Sequence, residues 1–228
     1  MILVFDLDDT LYEEIAFVKS GFKAVSEFLE CVYNISKNEL FELMIKNLNH
    51  GRGKIFDELL KYYGIFTKKL VRKCVSVYRF HKPKIHLYQD TLDCFERFKS
   101  LSKYIVTDGN KIVQQKKIDA LNLNNKIKRC LITHRYGIKN AKPSPYCFNL
   151  ICKLEKVQTK EVVFIGDNPT KDFVGIKPLG FRTIRILRGN YKYIRLNPSF
   201  EADFEINSLS ELTETFLYRI FKGKQGNI

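Results

Sequence analysis

Short, continuous apolar segments recur along the chain, and each stops abruptly at a polar or glycine-containing turn. Four of them are residues 1–5, 104–106, 130–132 and 162–165. Unbroken apolar runs of this length are typical of strands buried on both faces of a parallel sheet. A fifth segment, residues 183–187, contains Arg185, and we therefore expect it to lie nearer to an edge of the sheet.

Segments with apolar residues at helical spacing separate these predicted strands. Leu92, Phe95 and Phe98 repeat at three-residue steps, and residues 112–121 and 146–154 show a comparable pattern. Strands that alternate with helices predict an α/β fold with helices on both faces of a parallel sheet. Ligands of such sheets bind beyond the carboxyl ends of the strands, where we expect the polar turns to gather.

Residues 14–85 have a different pattern, with four amphipathic helices and no convincing strand. Phe17, Val25 and Leu29 share one face of the first helix, and Gly64 is placed to end the third. We therefore predict a helical bundle inserted after the first strand. The predicted domains are an α/β core of residues 1–13 and 86–228 and a helical domain of residues 14–85.

Composition and charge narrow the class of protein only slightly. The chain is 45% hydrophobic and contains 18 Phe and 12 Tyr, which excludes a disordered polymer. Its 39 Lys and Arg against 25 Asp and Glu give a formal charge of +14, which attracts phosphorylated metabolites, nucleic acids and acidic membranes alike. The basic residues are spread along the chain, with one local excess in residues 177–195, so we interpret the charge mainly as compositional bias.

The six cysteines form no CxxC pair and no zinc-like spacing. Apolar runs stay well short of the roughly 20 residues that span a bilayer, and no basic segment precedes a long apolar stretch at the start. We expect a reduced, cytoplasmic protein with no membrane partner.

Two acids follow the first predicted strand. Asp6 and Asp8 are two residues apart, so in an extended chain they point the same way. Paired acids repel each other unless a cation lies between them or one keeps its proton. Both arrangements suit catalysis, since an ionised, metal-bound Asp can attack phosphorus while a protonated neighbour donates to the leaving oxygen. An ordinary acidic turn is the alternative interpretation.

Three further polar motifs occur later in the chain, two of them directly after predicted strands and one before a predicted helix. Asp167 and Asp172 offer the carboxylate oxygens that Mg²⁺ prefers, although Asp167 could instead cap a helix. Thr107 offers a hydroxyl to a phosphate oxygen, and the turn after it offers backbone amides. The alternative is an ordinary capping turn. Lys142, before Pro143, would neutralise the acids and a phosphoryl group, or could be a solvated surface lysine.

The order of these motifs along the chain resembles that of the haloacid dehalogenase-like (HAD) hydrolase superfamily. The resemblance spans residues 5 to about 189 and rests on Asp6-x-Asp8-x-Thr10, Thr107, Lys142 and Gly166-Asp167-(x)4-Asp172. It implies a Rossmann-like, doubly wound parallel sheet with a helical cap domain inserted after the first motif. The second acid, Asp8, favours phosphoryl chemistry, because family dehalogenases lack it.

The resemblance also implies a role for each motif. Asp6 would be the nucleophile that becomes an aspartyl-phosphate, and Asp8 the acid that protonates the leaving group and later activates water. Mg²⁺ would be held by Asp6, the backbone carbonyl of Asp8 and Asp167, with Asp172 supporting from nearby. Thr107 and Lys142 would bind the phosphoryl oxygens of the substrate. Asp108 and Gly109, in the turn after Thr107, are further predicted substrate-binding residues.

The chain departs from the family pattern at two places, of which the first adds a negative charge near the phosphate and so bears on substrate choice. Many relatives have Asn where this chain has Asp108, and the stretch of residues 136–141 before Lys142 is slightly long. In the predicted cap, the glycine-containing loop of residues 49–54 carries Arg52, which we predict to contact the substrate. An exposed helix–helix connection is the alternative for that loop.

The favoured hypothesis is a magnesium-dependent phosphatase that hydrolyses a small phosphorylated metabolite, such as a sugar phosphate or nucleotide. A phosphomutase of the same superfamily, which would return the phosphoryl group to its substrate, is the alternative within enzymes. A non-catalytic protein that binds anions or nucleic acid would need basic charge but not the Asp6 and Asp8 pair, so nucleic acid is not an expected partner.

Overall fold

The computed structural model describes residues 1–222. Its chain forms two compact units, of which the first joins residues 1–14 to those from 86 onward and the second comprises residues 15–85. Across the described residues, none of the helices combines the length and the apolarity needed to cross a bilayer.

The first unit is built on a six-stranded sheet whose strand pairings are all parallel. The strands are β1 (Ile2–Phe5), β2 (Ser102–Thr107), β3 (Arg129–Ile132), β4 (Val162–Gly166), β5 (Arg182–Ile186) and β6 (Phe204–Ile206). Their spatial order is β3-β2-β1-β4-β5-β6, so the chain winds outwards in both directions from β1. This is the strand order of a Rossmann-like, doubly wound sheet, and the predicted fold class is confirmed.

The helices of both units, in chain order, are α1 (Glu14–Tyr33), α2 (Lys37–Leu48), α3 (Ile55–Tyr62), α4 (Lys68–Phe80), α5 (Gln89–Arg97), α6 (Lys111–Ala120), α7 (Tyr146–Glu155) and α8 (Glu214–Lys222). Within the first unit, Phe148 of α7 packs edge-to-face on Phe164 of β4, with ring centroids 4.8 Å apart. On β1, Val4 joins this same cluster, whereas the next residue, Phe5, packs against Phe95 of α5. Because neighbouring strand residues point to opposite faces, both faces of β1 are covered, which explains its unbroken apolar sequence.

Strand β5 lies near one edge of the sheet, as its arginine led us to expect. It is the second strand from that edge, between β4 and β6, and it contains Arg185. The Arg185 side chain is fully buried and donates to the Glu201 carboxylate at 2.6 Å and to the carbonyls of Tyr191 and Ile194 at 2.6 and 2.7 Å. A buried guanidinium is tolerated because charge-assisted hydrogen bonds replace its hydration.

Other basic residues of the 177–195 segment are also paired within the first unit. Lys177 donates to the carbonyl of Glu201 at 2.9 Å, and Arg188 donates to the carbonyl of Thr10 at 3.2 Å while it pairs with Asp90. These three-dimensional contacts account for part of the local excess of positive charge without an external partner.

The second unit consists of helices α1 to α4, whose apolar faces share one core. Phe22 and Leu29 of α1 pack there with Met44 of α2. Gly21 permits a close approach of α1 and α4, because a Cβ atom at this position would lie 2.4 Å from the Tyr78 ring. That this helical unit acts as a cap stays a prediction.

Candidate active site

Three adjacent strands deliver polar side chains to one end of the sheet. Asp6 directly follows β1, Thr107 is the last residue of β2, and Asp167 directly follows β4. The backbone N–H of Asp6 continues the pairing with β4 by donating to the carbonyl of Ile165 at 2.8 Å. The apolar strands therefore end together at the position where α/β sheets bind ligands.

Lys142 joins two of the predicted site acids. Its Nζ lies 2.6 Å from an oxygen of Asp6 and 2.6 Å from an oxygen of Asp172, and its side chain is only 1% exposed. Burial by itself lowers the pKa of Lys142, but the Asp172 and Asp6 carboxylates raise it above its ordinary value. Lys142 is therefore a buried, permanent cation at the centre of the site, and the surface-lysine alternative does not apply.

Three carboxylates form a cluster around this lysine. Oxygens of Asp6, Asp167 and Asp172 all lie within 4.8 Å of one another, and all three residues are buried. Burial raises the pKa of Asp6 to about 6 even though Lys142 opposes the shift. Burial, Asp172 and Asp6 raise the pKa of Asp167 to about 9. Acids that repel each other this strongly, with oxygen donors converging, fit a small divalent cation such as Mg²⁺.

Two glycines allow the loops of the site to pack closely. A Cβ atom on Gly166 would lie 2.4 Å from the Asp172 carboxylate, and one on Gly175 would lie 1.7 Å from the backbone carbonyl oxygen of Pro143. Gly166 thus makes room for Asp172, whose carboxylate also accepts a hydrogen bond from the Asn168 N–H at 3.0 Å. Gly175 makes room for the loop that carries Lys142, and the sequence pattern did not reveal this role.

The Asp8 side chain belongs to a second network beside this cluster. One carboxylate oxygen accepts hydrogen bonds from the Tyr12 hydroxyl and from Lys117 Nζ, the latter at 2.7 Å. The other oxygen accepts from the Gln114 amide at 3.3 Å. Burial opposes ionisation of Asp8, but Lys117 and these hydrogen bonds outweigh it and lower the pKa of Asp8. Sequence reasoning did not identify Tyr12, Gln114 or Lys117.

A sequence signal for the two α6 residues does exist. Gln114 and Lys117 are one helical turn apart and lie on the same stripe as Leu121, which is buried. An amide and an ammonium inside an apolar stripe are unusual, because such groups are buried only when they have partners.

The contacts of Asp108 show how the structure accommodates an acid at a position where many relatives have Asn. One of its oxygens accepts from the Thr133 hydroxyl at 2.6 Å and from the backbone N–H of Lys142 at 3.0 Å. The other lies 3.4 Å from Lys171 Nζ. Burial opposes the ionised form, but Lys142, Thr133 and Lys171 lower the pKa of Asp108. The extra negative charge is thus compensated, and the side chain fixes the loop that carries Lys142.

The Thr107 turn is connected to α6. The Thr107 hydroxyl donates to the Gln114 amide oxygen at 3.1 Å. Gly109 has a φ of +131°, a backbone conformation that favours glycine, and a Cβ atom there would lie 2.9 Å from the Gln114 amide and displace it. The turn therefore holds Thr107 next to the β1 end with its backbone shaped around Gln114.

Arg52 lies in the second unit. It lines a cavity of about 360 Å³ whose walls include the aromatic rings of Phe22, Phe56 and Tyr78 and the side chain of Arg79. Its contact with a substrate stays a prediction.

Comparison with known proteins identifies the class of this chain. A family model described as haloacid dehalogenase-like hydrolase matches residues 1–180. The chain is 31% identical over 222 residues to the glyceraldehyde 3-phosphate phosphatase of Methanocaldococcus jannaschii, with 93% of this chain and 95% of that protein covered. It is 29% identical to the enzyme of the same name from Pyrococcus furiosus, with 93% and 91% covered.

A solved structure shows the same fold. The HAD-hydrolase YfnB from Bacillus subtilis, determined with bound magnesium, superposes with a TM-score of 0.64 at 22% identity, and the match covers 97% of this chain and 98% of YfnB. The chain therefore belongs to the haloacid dehalogenase-like hydrolase family. The predictions of this family and of a phosphoric monoester hydrolase are confirmed.

Proposed function

We propose that this protein is a magnesium-dependent phosphatase that hydrolyses a small phosphorylated metabolite through an aspartyl-phosphate on Asp6. One observation carries the proposal most directly. The Asp6 carboxylate lies at the end of β1, 2.6 Å from the buried Lys142 ammonium and within 4.8 Å of Asp167 and Asp172. A carboxylate in such a cluster is placed to react with a phosphoryl group that the neighbouring cationic groups hold.

The reaction proceeds in two displacements at phosphorus. In the first, an Asp6 oxygen forms a bond to phosphorus while the bond to the alcohol oxygen breaks, and Asp8 gives that oxygen a proton. Because Lys117 lowers the pKa of Asp8 in the free enzyme, Asp8 has to take up this proton before the step. In the second, water attacks the phosphorus of the aspartyl-phosphate, Asp8 takes a proton from the water, and the Asp6 carboxylate leaves. Inorganic phosphate and the alcohol are the products.

Lys142 and Thr107 bind the phosphoryl group during these steps. Lys142 already pairs with the attacking carboxylate, so it favours the ionised form of Asp6 against the opposite effect of burial, and it offers positive charge where the phosphoryl oxygens gather. The Thr107 hydroxyl ends the neighbouring strand and can donate to one of these oxygens. Asp108 acts less directly in this proposal, through the backbone of Lys142.

The acid cluster is the proposed magnesium site. Asp6 and Asp167 would supply carboxylate oxygens and Asp8 its backbone carbonyl, with Asp172 held beside them by Lys142. When bound, the cation neutralises charge on the carboxylates and on the transferring phosphoryl group. The magnesium-bound state of the fold neighbour YfnB is consistent with this assignment.

The relatives suggest a substrate. Both archaeal relatives carry the name glyceraldehyde 3-phosphate phosphatase, so we propose a triose phosphate as the first compound to test. Hydrolysis is preferred over the phosphomutase alternative for the same reason. In this proposal the helical unit is the cap and Arg52 contacts the part of the substrate beyond its phosphate, so that Arg52→Met should raise KM more than it lowers kcat.

Phosphate release from a panel of phosphomonoesters, with magnesium or with a chelator, tests the proposal. The panel should include glyceraldehyde 3-phosphate, other sugar phosphates, nucleotides and p-nitrophenyl phosphate. Asp6→Asn removes the nucleophile with little change in shape, and Asp93→Asn makes the same chemical change at an exposed position of α5. We expect magnesium-dependent release that Asp6→Asn abolishes and Asp93→Asn leaves intact. A folded, magnesium-supplied protein that hydrolyses no ester would contradict the proposal.

A further inference from the structure

Helix α6 buries two polar side chains next to the active site. Gln114 is 4% exposed and Lys117 is 3% exposed, and they lie one helical turn apart. An ammonium group loses its hydration when it is buried, and this loss is unfavourable unless an opposite charge lies close to it. The position of Lys117 is therefore explained by a partner of opposite charge and not by packing alone.

That partner is the carboxylate of Asp8, 109 residues earlier in the chain. Lys117 Nζ lies 2.7 Å from one Asp8 oxygen, and the Tyr12 hydroxyl donates to the same oxygen. The Gln114 amide donates to the other oxygen at 3.3 Å. Three donors from two directions leave the Asp8 side chain a narrow range of orientations, because any other rotamer would leave buried donors without this acceptor.

Gln114 also connects Asp8 to the phosphoryl-binding turn. Its amide oxygen accepts from the Thr107 hydroxyl at 3.1 Å, while its amide nitrogen donates to Asp8. Gly109 packs closely against the Gln114 amide, since a Cβ atom on Gly109 would lie 2.9 Å from the Gln114 amide nitrogen. The amide is thus held between the end of β1 and the end of β2.

We propose that Lys117 and Gln114 are positioning residues for the leaving-group step, which set where Asp8 stands relative to the ester oxygen. This inference rests on the proposed function, in which Asp8 gives a proton to that oxygen. A proton donor must lie within hydrogen-bond reach of the atom that it protonates, and general acid catalysis is worth roughly 10²–10⁴-fold. Side chains that fix the donor therefore control how much of that factor is realised.

The leaving group provides the test. An alkoxide needs a proton as it departs, whereas p-nitrophenolate leaves as a stable anion and needs little help. We compare kcat/KM, which reports the steps up to departure of the alcohol, for p-nitrophenyl phosphate and for the alkyl phosphate that the wild type hydrolyses best. The variants are Lys117→Met, Gln114→Met and Asp8→Asn. Lys116→Met is the matched control, with the same chemical change at the next position of α6.

We expect Lys117→Met and Gln114→Met to lower kcat/KM for the alkyl ester about tenfold or more, which is a fraction of the factor that acid catalysis supplies. The same variants should lower kcat/KM for the aryl ester less than about threefold. In the Asp8→Asn background, adding Lys117→Met should change kcat/KM for the alkyl ester less than about twofold, because residues that act through one group are not additive. Lys116→Met should match the wild type for both esters.

Other outcomes separate two failures. Equal losses for both esters, or a full additional loss in the Asp8→Asn background, would show a general structural role and overturn the positioning inference alone. A wild type without magnesium-dependent release, or release that survives Asp6→Asn, would overturn the proposed function and this inference with it.

Discussion

Replacing Lys142 with methionine removes the buried cation at the centre of the site and keeps a side chain of similar length. The Lys142 side chain is 1% exposed and that of Asp172 is 0% exposed, so solvent does little to screen their charges. Each of the two contacts has a separation of 2.6 Å. At an effective dielectric constant of about 20, a pair at that distance attracts by on the order of 6 kcal/mol.

Dehydration of the three charged groups offsets most of this attraction in the wild type. In the Lys142→Met variant, however, the carboxylates stay buried while their common partner is gone. Breaking a buried ion pair from one side typically costs about 3–5 kcal/mol, and we expect a loss of free energy of unfolding in that range. The carboxylates would repel each other within a cluster that spans 4.8 Å, and bound magnesium should therefore recover part of the loss.

Urea denaturation, monitored by circular dichroism, measures this loss in chelator and again in magnesium. Lys139→Met, at an exposed position three residues earlier, is the control and should change the free energy of unfolding by less than about 0.5 kcal/mol. A loss below about 1 kcal/mol for Lys142→Met in chelator, the range of exposed ion pairs, would refute the reasoning that this lysine is a buried counter-charge. A loss that magnesium does not reduce would refute the link between the cluster and the cation.

Three further predictions concern Asp108, Gly175 and the cysteines. Asp108→Asn keeps an acceptor for the Lys142 N–H and should lower kcat/KM less than about threefold, whereas Asp108→Ala removes that acceptor, a hydrogen bond worth about 1–1.5 kcal/mol, and should cost about tenfold. Gly175→Ala places a Cβ atom 1.7 Å from the Pro143 carbonyl oxygen, and the displaced loop should reduce both Tm and activity, with a stability loss of at least about 1–3 kcal/mol; a wild-type Tm would contradict this clash. Under native conditions at pH 8, the exposed Cys31 should react with a thiol reagent at least an order of magnitude faster than the other five cysteines, because burial raises their pKa values and lowers the thiolate fraction. Peptide mapping identifies the modified cysteine. Rapid modification of more than one thiol per chain would contradict the burial of the other five cysteines.

The parts of the site that the sequence predicts are those that strand ends place. Asp6, Thr107 and Asp167 each end or directly follow a buried apolar strand, and parallel strands bring such positions to one edge of the sheet. Unbroken apolar runs predicted the strands β1, β2, β3 and β4, because strands of a parallel sheet are buried on both faces. Periodicity alone did not predict a role for Lys142, because a single lysine before a proline can also be an exposed surface residue. Its role was predicted from the resemblance to the family.

The parts that the sequence did not predict depend on long-range partners. Lys117 and Gln114 lie in the apolar stripe of α6, but nothing in the sequence identifies Asp8, more than 100 residues away, as the acceptor of their hydrogen bonds. The sequence indicated a position of β5 near an edge of the sheet, but it did not reveal that Arg185 is buried. The acceptors of Arg185, Glu201 and two carbonyls, lie in an irregular segment without a recognisable pattern. Strand β6 has only three residues, which is too short for periodicity to distinguish it from a loop.

The central claim is that Asp6 becomes phosphorylated during turnover, and trapping of the covalent intermediate tests it most directly. The magnesium-supplied enzyme is mixed with p-nitrophenyl phosphate, quenched in acid within the first turnover, and digested for mass spectrometry. We predict a phosphoryl group on the peptide that contains Asp6. This phosphoryl group should be absent in chelator and in the Asp6→Asn variant, and present in the Asp93→Asn variant. A phosphoryl group on another residue, or p-nitrophenol release by Asp6→Asn at the wild-type rate, would contradict the account.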